Sequence, residues 1–290
     1  MRPPRQATAV GDADSPLPAL VSSRVAFAAR GLAGIRLLEC ALIALAATSS
    51  VFPRLKVLGH ERDLTGLRYL HDRTQLAVAF LALPAAVGLL VLARPITSLL
   101  FEHGAYGPDG VARVSAALAM LALALLPAGC VSLVTRAYYA IDDFRTPVVV
   151  SSLLLFVNIG LNLALVRGVG MDVEGLALAT AITSWLNLAF LLPPLLRRLP
   201  KGTEETAEHV SIGRRLAPMA LAALLAGGAA WGARELVWSL AEGLGRNLGG
   251  SLALAAGAVA GVGGYFAAVA ALGVPEWREL RAKLAARRAG

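Results

Sequence analysis

Between Arg113 and Arg136 the chain runs for 22 residues, positions 114–135, without a charge. At about 1.5 Å of rise per residue, a helix of that length crosses a hydrocarbon layer roughly 30 Å thick. A run of this kind commits the chain to lipid, and the composition agrees: 57% of the 290 residues are hydrophobic and 16% are charged. A net charge of +8 raises nucleic acid as a partner. The Lys and Arg residues, however, sit in short clusters beside apolar stretches, where they act as topology determinants, and no nucleic-acid face is expected.

Seven spans are predicted, at about 31–53, 75–93, 112–140, 146–166, 175–196, 216–233 and 251–272. The fold class is therefore all-α, a polytopic membrane helical bundle. Its expected organisation is a poorly ordered head at 1–30, a five-span bundle at 31–198, a loop at 199–213, two further spans within 214–273, and a basic amphipathic tail at 274–290 lying on an anionic membrane surface. The stretch 54–74 reads as an amphipathic surface segment. Pro84 in the second span, and Pro127 with Gly129 in the third, mark bends or breaks, tolerated because neighbouring helices or water satisfy the carbonyl a proline frees. Thr146 is expected to cap the fourth span with Pro147 at its first helical position. Asn158 and Asn162 share a helix face and are expected to bind a neighbouring helix, with Thr180, Ser184 and Asn187 as the polar seam of the fifth span. Gly257, Gly261 and Gly264 favour close approach of the last span to a neighbour.

Lys and Arg set the orientation. Sixteen fall in 54–74, 141–145, 197–215 and 275–290, against five in the segments on the opposite side. The richer side is cytoplasmic, which places the C-terminus inside and the head outside. The head's four arginines oppose that placement, a strain relieved if another helix lies upstream.

The first span carries Arg36 and Glu39, one helical turn apart on a common face. Charges at that depth face a bundle interior or a water-filled cavity. The other placement is near the outer interface, where Arg36 reaches headgroups.

Four segments resemble one family in order and spacing: LLFEHGAY at 99–106, RAYYAIDDFRTPV at 136–148, VNIGLNLALV at 157–166 and EGLALATAITSWLN at 174–187. They are similar to the signatures of the MurJ (MviN) lipid II flippases, within the superfamily of multidrug and lipid-linked oligosaccharide exporters. Phe101, Gly104, Arg136, Tyr139, Asp143, Thr146 and Pro147 are the signature positions. The resemblance implies a two-lobed flippase of which this chain matches the C-terminal lobe plus two extra C-terminal helices. It further implies that Arg36 and Glu39 line a substrate cavity, Arg36 drawing the pyrophosphate of a lipid-linked peptidoglycan precursor and Glu39 tuning that charge. Two departures stand out. Cys40 and Ala41 follow Glu39 where the family has a proline nearby, and Ser132 occupies a position where many flippases carry a lysine.

The implied activity is translocation of that precursor across the bacterial inner membrane by alternating access. The alternatives are export of another lipid-linked oligosaccharide, or a truncated, non-transporting membrane fragment. Expected partners are lipid II, membrane lipids, and either a separately encoded N-terminal half or a second copy of the chain. The residues form no hydrolytic triad, phosphate-binding loop or paired catalytic carboxylates, so a transporter rather than an enzyme is expected. Cys40 and Cys130 read as small buried hydrophobes and the four histidines as loop residues, so neither metal nor cofactor is expected, with a coupling ion left open.

Overall fold

A helix of 38 residues, α2 (Leu64–Phe101), is the spine of the molecule. The computed structural model describes residues 51–101, 107–200, 212–241, 246–278 and 281, all within the larger of two compact units, Ala41–Gly290. Positions 31–50 of the expected first span, with Arg36 and Glu39, lie outside the described residues, as do Gly104, the head and most of the tail.

The order is α1 (Phe52–His60), α2, α3 (Pro108–Ala122), α4 (Leu125–Ala140), α5 (Arg145–Leu163, closing in a π turn, Ala164–Gly168), α6 (Val173–Arg198), α7 (Ile212–Leu240) and α8 (Arg246–Ala271), with no strand among the described residues. By length and composition these provide six helices able to cross a membrane. Helix α2 packs against α1, α3, α4, α7 and α8. One buried apolar cluster joins Leu55, Leu67, Leu133, Tyr138, Leu191 and Leu195 from α1, α2, α4 and α6. The other joins Leu76, Phe80, Met219, Ala226, Tyr265 and Val269 from α2, α7 and α8.

Residues 54–74 form an amphipathic stretch, as expected of them, with Arg54, Lys56, Glu61, Arg62, Asp63 and Arg73 exposed. They form α1 and the first turns of α2, burying Leu55 and Leu67 completely. The backbone of Gly59 lies so close to α4 that a Cβ there would sit 1.9 Å from the Ala140 carbonyl oxygen.

Two prolines fix how the helices meet. Pro84 has no N–H for the carbonyl four residues back, that of Phe80. The Tyr265 hydroxyl, from α8, donates to this oxygen at 2.7 Å and is buried. Pro127 likewise leaves the Leu123 carbonyl without its helical donor, and the indole Nε1–H of Trp185, from α6, donates to it at 3.1 Å. The third span therefore breaks at Leu123–Ala124, one turn before the proline, where these two residues' N–H groups turn back to Met120 (3.2 Å) and Leu121 (2.9 Å).

The expected close approach of α8 to α7 is present. Cβ atoms at Gly257, Gly261 and Gly264 would meet the Ala230 carbonyl oxygen at 2.9 Å, the Ala230 Cβ at 3.1 Å and the Ala229 Cβ at 3.3 Å. Helix α5 is the most peripheral, with only Pro147 and Leu154 buried in it. Asn158 donates to the Thr183 hydroxyl at 3.1 Å and Asn162 to Asn158 at 3.0 Å, fastening α5 to α6. Thr180 and Ser184 do not share in that seam; they donate to carbonyls of their own helix.

If Tyr265 holds the carbonyl that Pro84 frees, Tyr265→Phe lowers stability by about 1 kcal/mol, the scale of a hydrogen bond between membrane helices. Pro84→Ala restores an N–H to Phe80. Denaturation in detergent micelles is then expected to show most of the Tyr265→Phe cost disappearing in the double variant, and additive losses would refute the pairing.

Candidate functional site

Two turns at one end of the bundle are built by the same device. After α1, Arg62 takes φ 58° and the N–H groups of Arg62 and Asp63 bond back to Gly59 (3.1 Å) and Leu58 (3.0 Å). After α4, Asp142 takes φ 61° and the N–H groups of Asp142 and Asp143 bond to Tyr139 (3.3 Å) and Tyr138 (3.0 Å). Both are left-handed helix C-caps, closing the last carbonyls of one helix. In each, the next residue is an aspartate that starts the following helix. Asp63 accepts the Gly66 N–H and the Thr65 hydroxyl, both at 2.8 Å. Asp143 accepts the Thr146 N–H at 3.0 Å and its hydroxyl at 2.6 Å.

The capping residue of α5 is thus Asp143. Thr146, expected in that role, is the donor, and the helix begins at Arg145, which puts Pro147 at the third position. The proline is still tolerated, because first-turn N–H groups have no helical partner.

Asp143 also pairs with Arg198 at the end of α6, whose guanidinium carbon lies 5.8 Å from the centroid of the Tyr138 ring. Burial pushes the Asp143 carboxyl up, but the Thr146 hydroxyl and N–H and the Arg198 guanidinium outweigh it and hold the group at about 2. Asp63, fully at the surface, is lowered by its Gly66 and Thr65 hydrogen bonds. The Tyr138 hydroxyl donates to the Leu191 carbonyl at 2.9 Å, in the turn that carries Pro193 and Pro194.

Arg68 completes this end. Its guanidinium donates to the Leu196 and Leu199 carbonyls at 3.0 and 3.1 Å and to Asp72 at 2.7 Å. A cation so placed satisfies the last carbonyls of α6 and opposes its dipole. His71, expected in a loop, lies inside α2 with no exposure, its Nδ1 3.0 Å from Asp72. The His71 Nε2 and Gln75 Oε1 atoms are buried with no hydrogen-bond partner. Sequence reading missed this network. Its visible signals were the i, i+4 pair of Arg68 and Asp72 and the Asp-Leu-Thr start of a helix.

The signature residues thus gather into a joint among α4, α5 and α6. Tyr138 and Pro147 are buried, Arg136 is half-buried and engaged, and Tyr139 stacks on Phe144 with ring centroids 5.0 Å apart. Phe101 is buried at the far end of α2. Among the described residues no group of three or more His, Cys, Asp or Glu is placed to hold a metal ion.

Helices of this length and apolarity, bundled around charges that fasten helix ends, define a multi-pass membrane protein. A family model described as "Lipid II flippase MurJ" matches residues 23–242, and the chain belongs to that family, a family of transporters rather than enzymes. Family membership and the six apolar helices make it a multi-pass inner-membrane protein.

Among curated relatives, the probable lipid II flippase MurJ of Rhizobium meliloti is 28% identical over 176 residues, covering 57% of this chain and 32% of that protein. That of Thermotoga maritima is 37% identical over 112 residues, 39% of this chain and 23% of that protein. A solved lipid II flippase MurJ in an inward closed conformation superposes with a TM-score of 0.55 at 20% identity, covering 82% of this chain and 48% of that one. The chain thus spans about half the length of the solved relative, and it shares that relative's fold.

Asp143→Ala is expected to cost about 1–2 kcal/mol through loss of the α5 cap. The carboxyl is held below its ordinary 3.8, so the stability it contributes is complete above about pH 4 and is lost as pH falls towards 2. Asp143→Asn should flatten that part of a pH–stability curve. Asp142→Gly, relieving a side chain at positive φ, should stabilise by about 0.5–1 kcal/mol in the same measurement.

Proposed function

We propose that this chain provides one lobe of a flippase that translocates a lipid-linked peptidoglycan precursor, lipid II, across the bacterial inner membrane by alternating access, with its C-terminus in the cytoplasm. The observation that carries the reading is the family match over residues 23–242, which includes all four signature segments as well as Arg36 and Glu39. Alternating access needs two bodies moving about a central site. A facing lobe is therefore required, from the same polypeptide, a separately encoded half or a second copy. Arg36 attracts the substrate's pyrophosphate, and Glu39 tunes that charge and responds to any coupling ion. No bond is made or broken.

The test is rescue of growth in bacteria depleted of their own flippase. The chain supplied with an N-terminal half should restore growth, and Arg36→Ala should abolish the rescue with membrane levels unchanged. In vesicle assays with purified lipid II, the same change should slow transport about tenfold or more, the scale of one lost charge-assisted contact. Full rescue by Arg36→Ala would overturn the assignment. A non-transporting fragment is the second reading, and it predicts no rescue with any added lobe.

A further inference from the structure

In α6 two successive prolines open one carbonyl twice over. The residues three and four positions after Phe190 are Pro193 and Pro194, so its carbonyl can accept neither helical N–H. Tyr265 and Trp185 close the carbonyls that Pro84 and Pro127 free, but no side chain of the described residues donates to that of Phe190. Thr183, Asn187, Phe190 and Pro194 form one stripe of α6, four, three and four residues apart. Asn158 of α5 bonds to the stripe at Thr183. Further along, the Asn187 Oδ1 atom is buried with no hydrogen-bond partner, and Phe190 is 57% exposed. Two acceptors a turn apart inside a membrane span need a neighbour that carries a donor.

The described residues begin at Val51, which packs against the cluster holding Leu191 and Leu195, the sequence neighbours of Phe190 and Pro194. The ten residues before it, 41–50, read ALIALAATSS and belong to the same compact unit as α6. Val51 is in the right-handed helical region and its carbonyl accepts the Leu55 N–H at 3.1 Å. A helix entering from 41–50 therefore sets Thr48, Ala47 and Ala44 on the face of Val51, because positions three, four and seven apart share a face. The alanines permit close approach to a ridge as large as Phe190, and Thr48 supplies one hydroxyl donor a turn from Val51.

We infer that residues 41–50 pack as a helix along the Thr183–Pro194 stripe of α6, with the Thr48 hydroxyl donating to the Phe190 carbonyl. The contact is internal to the chain and does not rest on the flippase reading.

Cysteine cross-linking of the full chain in membranes tests the packing. Ala47→Cys with Phe190→Cys should form an intrachain disulfide on oxidation, read by mass spectrometry of the digest. Ala47→Cys with Leu224→Cys, at an exposed position of α7, should not. Denaturation in detergent micelles reads the hydrogen bond. Thr48→Val should raise the unfolded-to-folded ratio about fivefold, the scale of one bond between membrane helices, while Thr48→Ser keeps the ratio. In a Pro194→Ala background, which returns an N–H to the Phe190 carbonyl, Thr48→Val should change the ratio little. Disulfides between two chains would assign the stripe to a second copy, and no disulfide at Phe190→Cys would leave it to lipid. An equal Thr48→Val cost in both backgrounds would place the donor elsewhere. Each of these three results overturns the inference.

Discussion

Hydrocarbon offers no hydrogen bonds, so a backbone carbonyl left open inside a membrane helix must find a donor in another helix. This chain creates two such carbonyls by placing Pro84 and Pro127 mid-span, and it closes each with an aromatic donor. Tyr265 reaches Phe80 from α8 and Trp185 reaches Leu123 from α6. The pairing is directional, so it fixes which faces meet, something apolar contact alone does poorly when lipid is as apolar as the helices. The α7–α8 pair is thereby registered against the middle of α2, and α6 against the α3–α4 elbow. Small residues at Gly257, Gly261 and Gly264 then allow α7 and α8 to approach closely enough for Tyr265 to be buried.

The ends of the helices obey the same accounting with charged groups. At the α1–α2 and α4–α5 turns one residue at positive φ closes the outgoing helix and the next, an aspartate, opens the incoming one. The two differ in what else they hold. Asp63 serves only its own turn, whereas Asp143 also takes Arg198 and so ties the C-terminus of α6 to the start of α5. With Arg68 on the Leu196 and Leu199 carbonyls, the end of α6 is gripped from α2 and from the α4–α5 turn at once. The proline pair in α6 weakens the helix just before these clamps, and Tyr138 braces that stretch at Leu191.

Much of this was legible in the chain itself. Uncharged runs located each of the six described spans, and Pro84 announced a freed carbonyl, because a missing N–H is a local fact about one residue. The donor that answers it is 185 residues away in α8, and no local pattern names it. Pro127 announced a break but not its place, since the unpaired carbonyl, not the proline, is where the helix parts. The stretch 54–74 was legible in part. Most of its charges are solvated as the sequence suggests, but Arg68 and Asp72 neutralise each other and the Leu196 and Leu199 carbonyls accept from Arg68, so that pair is largely buried. At the α4–α5 turn, threonine before proline pointed to a cap, and the carboxylate two residues before the helix outcompeted it as an acceptor.

Several residues that carry the family resemblance are, in the described structure, joint-formers. Tyr138, Asp143, Thr146 and Pro147 spend their polar atoms and volume on one another and on α6, so the likeness testifies first to a shared way of folding. On the proposed reading, recognition of an anionic headgroup rests on other residues, and the sequence narrows where. Positions 75–93, 114–135, 146–166, 175–196, 216–233 and 251–272 contain no Asp, Glu, Lys or Arg, and the predicted spans carry charge at Arg36 and Glu39 in the first and at Arg113 and Arg136 in the third. Helix α5 illustrates the point. Its exposed large hydrophobic residues are Val148, Val149, Leu153, Leu155, Phe156, Val157, Ile159 and Leu163, spread around its circumference; Arg145 at its start and Ser151 and Ser152 are exposed too, and Asn158 is bonded to Thr183. A helix so apolar along most of its length suits lipid or a facing apolar lobe. A desolvated anion needs a cation within contact distance, and of the three arginines in the predicted spans Arg113 pairs with Asp172 and Arg136 is already engaged.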